Sequence, residues 1–78
     1  MTQAMKDMMT VAIMIEESIV NSVFDNVARK IVAMDFAKKT GELYGGGQPR
    51  FNAAVKAAIA EELVVHGTRG NETVYRIA

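Results

Sequence analysis

From Gln3 to Met34 the apolar residues recur at helical spacing. Met5, Met8, Ala12, Ile15, Ile19, Val23, Val27, Ile31 and Met34 step by three or four positions, as the buried face of a helix does. Ser22, with Asp25 three positions on, has the form of a helix N-terminus. The pattern predicts one helix up to about Val20 and a second over residues 22–33, with a single bent helix as the alternative. Residues 11–15 are apolar on every face, which suits a helix buried all round or a buried strand. The Met, Ala and Glu residues around them favour helix. Asp35 then offers an N-cap and Gly41 a left-handed C-terminus, predicting a short helix with Phe36 and Ala37 turned inward.

A loop is expected over residues 42–48, which include the glycines at 45–47. Pro49 opens the next predicted helix at the position where its missing N–H costs nothing. That helix runs to Glu62. One face carries Phe51, Val55, Ala58, Ile59 and Glu62. The other is slim, with Ala53, Lys56, Ala57 and Ala60. After it the period changes. Residues 63–66 and 72–77 are β-type runs joined by the turn residues 67–71, a hairpin pattern. Its expected faces are Leu63 and Val65 with Tyr75 and Ile77, against Val64, His66, Val74 and Arg76.

At 78 residues, half of them apolar, the chain makes one small domain that is not disordered. Nine basic residues balance nine acidic ones, and there is no cysteine. Disulfide frames, thiolate nucleophiles and cysteine-based metal sites are therefore excluded. The short apolar run at 11–15 fits neither a leader peptide nor a membrane span, so a cytoplasmic protein without membrane contact is expected. The charge is uneven along the chain. Residues 1–35 hold Lys6, Arg29 and Lys30 against Asp7, Glu16, Glu17, Asp25 and Asp35, a balance of −2. Residues 36–78 carry the compensating +2.

Catalytic chemistry is not expected. Glu16-Glu17 and Glu61-Glu62 are adjacent on helices, so their carboxylates diverge by about 100°. His66 has neither a cysteine nor a second histidine to complete a metal site, and reads as an exposed strand residue. The glycine run lacks the following Lys-Ser/Thr of a phosphate loop. No nucleophile–base pair can be assembled, and no metal or cofactor is implied.

Taken together, Asp35-Phe36-Ala37-Lys38-Lys39-Thr40-Gly41, the helix after Pro49, and Leu63-Val64-Val65-His66-Gly67 with Gly70-Asn71-Glu72-Thr73-Val74-Tyr75-Arg76-Ile77 resemble a winged helix-turn-helix domain over residues 22–78. The resemblance implies an α+β, mainly helical fold with a C-terminal β-hairpin wing, preceded here by an extra N-terminal helix over residues 1–20. In that family a short helix of the A-x-x-T-G kind supports a second helix that enters the major groove of double-stranded DNA, and the wing reaches the backbone. The expected DNA contacts are Lys38, Lys39, Gln48, Arg50, Asn52, Lys56 and Arg69. The function expected is that of a small transcriptional regulator. A winged-helix module that binds another protein, such as a viral or mobile-element factor acting on host machinery, is the alternative.

Five of the six methionines lie in the first fourteen residues. They form either an adaptable cover for the domain's own core or a subunit interface. A chain this short without staples gains from self-association, so a homodimer is expected through Met5, Met8, Met9, Ala12 and Ile15.

Overall fold

A computed structural model describes residues 1–42 and 48–78; the glycines at 45–47, and with them most of the expected loop, lie outside the described residues. The architecture is α+β and mainly helical. Its elements are α1 (Gln3–Val20), β1 (Val27–Ala28), α2 (Arg29–Thr40), α3 (Pro49–Ala60), β2 (Val64–Arg69) and β3 (Glu72–Ile77). The three strands form an antiparallel sheet in the order β1-β3-β2.

α1 begins where Thr2, in extended conformation, accepts the Met5 N–H on its hydroxyl at 3.2 Å, as an N-cap does. Asp7, Val11 and Ile15 form its buried row. Residues 11–15 do make helix, but a helix buried on one side only: Val11 and Ile15 are sealed off while Ile13 is 52% exposed. At Asn21 the helix stops, and the expected helix over residues 22–33 does not form. The Ser22 hydroxyl accepts the Phe24 N–H at 3.1 Å, a local turn in place of a helix cap. Val27 and Ala28 then pair with Tyr75 and Val74 of β3. Val23, Val27 and Ile31 keep helical spacing, but buried backbone pairing with β3 outweighs a weak local preference.

α2 is one helix, replacing the end of that expected helix and the short one over residues 35–41. Asp35 is an exposed residue in its middle and caps nothing. Gly41 closes it with φ 78°, donating its N–H to the Ala37 carbonyl at 2.8 Å. Pro49 opens α3 as expected, but α3 ends at Ala60. Glu62 takes φ 60°, and the Leu63 N–H reaches the Ala58 carbonyl at 3.0 Å. This is a Schellman-type stop built on a non-glycine residue.

The hairpin is longer and its turn tighter than expected. Gly67, Thr68 and Arg69 belong to β2, leaving Gly70 (φ 66°) and Asn71 to make the turn. Its faces are also exchanged. Val64 lies opposite Ile77 and His66 opposite Tyr75, and directly opposed residues share a face. Val64 and Tyr75 therefore enter the core together, while Val65 points to the other side. Period alone did not decide which alternate residues faced inward.

The core joins Val11 and Ile15 to Val32, Phe36, Phe51, Val55, Val64 and Tyr75. At its centre the fully buried Phe36 and Phe51 rings lie 5.6 Å apart, tilted by 50°. Such an edge-inclined pair contributes about 0.5–1.5 kcal/mol beyond the area it buries. This contact seats α3 on α2, while α1 packs chiefly against α3.

Candidate nucleic-acid interface

α3 buries Phe51, Ala54, Val55 and Ala58. Its opposite side exposes Pro49, Asn52, Ala53, Lys56 and Ala60. Pro49, Asn52, Lys56 and Ala60 follow one another by three or four residues, with Ala53 beside Asn52, and form a single outer row. The row is narrow, holds one charge, and that charge is positive.

The cations expected to surround this row divide into two kinds. Among the described residues, Lys38, Lys39 and Lys56 enter no ion pair and all three are exposed. Lys38 and Lys39 occupy the last turn of α2, where they also complement the negative end of the helix. Arg50 and Arg69 are committed elsewhere. Arg50 donates from Nε to Asp7 Oδ2 at 2.7 Å and from Nη2 to Asp7 Oδ1 at 2.9 Å. This two-pronged pair is the strong geometry for a guanidinium and a carboxylate. Gln3 adds a third hydrogen bond to Asp7 Oδ1 at 2.8 Å. The hydrogen bond from Arg50 is the main reason that the Asp7 carboxyl stays below its ordinary value of 3.8, against the opposing effect of burial. In return Asp7 raises the Arg50 guanidinium further, so the arginine stays charged but is neutralised by its partner.

Arg69, at the end of β2, folds back onto the segment between α1 and β1. Its Nη1 donates to Asn26 Oδ1 at 2.9 Å, its Nη2 lies 3.9 Å from Glu72 Oε1, and the guanidinium sits 5.2 Å from the Phe24 ring centre. It braces the hairpin tip. Gln48 caps α3 in left-handed conformation (φ 49°) and is buried, so its side chain is not presented for a base. The seven expected contacts thus do not form one group. Lys56 and Asn52 share the outer row, Lys38 and Lys39 end α2, and Arg50, Gln48 and Arg69 serve the fold.

Two participants were missed from the sequence. Asp7 precedes Val11 and Ile15 at steps of four, a signal that becomes readable only once the 7-11-15 row is known to face inward. A buried carboxylate needs a cationic partner. Arg29 carried no such signal. It donates from Nη1 to the Tyr75 hydroxyl at 2.8 Å, from Nη2 to Asn52 Oδ1, and covers the Phe51 ring at 4.9 Å. Its partners lie 46 and 23 residues away. Arg50 lies 5.8 Å from the Phe36 ring centre. Each ring of the aromatic pair thus has its own guanidinium, attracted by a ring face. Arg29 ties the outer row of α3, through Asn52, to the sheet.

The expected dimer residues also separate. Ile15 is wholly inside the core and Met8 and Ala12 pack partly against it, whereas Met5 and Met9 are exposed. The helix is rotated so that its 7-11-15 row faces inward, which removes Ile15 from any outer contact. Among the described residues no helix is long and apolar enough to cross a membrane. Neither a protein-family model, nor a curated protein, nor a solved structure matches the chain.

Proposed function

We propose that the protein is a winged-helix DNA-binding domain and a small transcriptional regulator, with the outer row of α3 in the major groove. The observation that carries this reading is the row itself. Asn52, Ala53, Lys56 and Ala60 form an exposed, slender helix face with a single positive charge, held on a rigid base by the Phe36–Phe51 contact and by Arg29. A helix that enters the major groove needs such a slim face, with cations placed at phosphates on either side. The element order supports the same reading: a strand between the first two helices joins the C-terminal hairpin in one sheet. Lys38, Lys39 and Lys56 supply the phosphate contacts.

Three phosphate contacts give a slope of about −2.7 for log affinity against log salt, so binding weakens by about 40-fold between about 50 and about 200 mM salt. Fluorescence anisotropy with labelled duplexes measures this directly. Lys56→Ala lowers affinity and flattens the slope by about one. Because Arg50 is engaged by Asp7, Arg50→Ala changes stability more than the salt slope. Failure to bind any duplex at low salt refutes the proposal, as does full binding by the triple variant Lys38→Ala, Lys39→Ala, Lys56→Ala.

A further inference from the structure

We infer that two copies of the chain pair through α1 in antiparallel orientation, using the face directly opposite the core. That face carries Met5, Met9, Ile13 and Val20, exposed at 48, 45, 52 and 74%. The four positions lie on one side of an 18-residue helix, with the exposed Glu16 on the same side between Ile13 and Val20, and the core contacts Val11 and Ile15 lie on the other side. None of the four is needed to cover this chain's own core. An exposed apolar row of this kind, broken by one carboxylate, marks an interaction surface.

The charges in and beside the row point to a second copy as its occupant. Lys6 stands in the N-terminal half, Glu16 and Glu17 in the C-terminal half, and none of the three has an ion-pair partner among the described residues. Parallel pairing would set lysine against lysine and glutamate against glutamate. Antiparallel pairing centred near Val11 sets Met9 against the partner's Ile13 and Lys6 against the partner's Glu16. Two-fold symmetry makes each contact twice. The helix dipoles are also opposed in that arrangement, which favours it further. At 1.5 Å per residue the strip from Met5 to Val20 is about 22 Å long. One helix face on another lies at the small end of specific interfaces, so a micromolar dissociation constant is expected.

Sedimentation velocity from about 1 μM to about 1 mM tests the pairing. The wild-type mass should double within that range. The double variant Met9→Glu, Ile13→Glu should stay monomeric with an unchanged far-ultraviolet circular dichroism spectrum, since both side chains are exposed. Lys6→Glu alone and Glu16→Lys alone should each weaken pairing several-fold, and the two together should restore it. A wild-type monomer at about 1 mM overturns the inference, and so does a Met9→Glu, Ile13→Glu variant that still pairs. Failure of the charge exchange to restore pairing overturns the antiparallel register. No nucleic acid enters the measurement, so its outcome is independent of the DNA-binding proposal.

Discussion

Replacing Asp7 with asparagine keeps the shape of the side chain and removes its charge. In the native fold that carboxylate is 5% exposed and accepts two hydrogen bonds from Arg50 and one from Gln3. Hydrogen bonds to charged groups contribute about 1.5–3 kcal/mol each when shielded. The Arg50 side chain, however, is 38% exposed and regains water when its partner is neutralised, which reduces the loss. Asp7→Asn should therefore cost about 1–2 kcal/mol, a large share of the roughly 3–5 kcal/mol that a core of this size supplies. Urea unfolding followed by circular dichroism reads the difference. With a slope near 1 kcal/mol per molar urea, the midpoint falls by about 1–2 M. The pH dependence is the sharper test. The folded-state pKa of Asp7 lies below 3.8, so its contribution is complete above 3.8 and disappears as pH falls through the lower folded value. Wild type and variant should differ fully at about pH 7, and the gap should narrow as the pH falls below 3.8 and through the lower folded value. Equal midpoints at neutral pH, or a gap that persists unchanged in acid, would refute the assigned role of the pair.

Two further substitutions test the frame around the α3 row. Tyr75→Phe keeps the buried ring but removes the hydroxyl that accepts from Arg29 at 2.8 Å, and should destabilise by about 1 kcal/mol in urea unfolding; no change would mean that Arg29 does not fasten α3 to the sheet. Gly41→Ala meets no atom within 4 Å, yet it must hold φ 78°, so it should destabilise by about 1 kcal/mol. The converse change, Glu62→Gly at φ 60°, should stabilise by about 0.5–1 kcal/mol. Thermal melting of both variants checks the pair, and shifts of the same sign would refute the strain argument.

Much of the helical frame is legible in the chain because its determinants are local. Pro49 starts α3, Gly41 ends α2, and the Phe51, Val55, Ala58 spacing identifies the buried side of α3. Each depends on residues within a turn or two of one another. The candidate site is less legible. Arg50 and Arg69 look like free cations in a linear reading, and only folding brings Asp7, 43 residues distant, and Asn26, also 43 residues distant, to them. The rotation of α1 is hidden for another reason. With residues 11–15 apolar throughout, the helical period allows more than one inward face, and packing against α3 selects the 7-11-15 row.

The sequence by itself determined a small, mainly helical α+β domain, closed by a hairpin and lacking cysteine chemistry. Those features follow from composition, caps and periodicity, which act over a few residues. Tertiary structure decided that Val27 and Ala28 become a strand, that Tyr75 rather than Val74 joins the central core, and which cations remain available. Each of these depends on backbone pairing or charge neutralisation between distant segments. A sequence pattern records what a residue prefers locally, and the partner that overrides the preference exists only once the chain has folded.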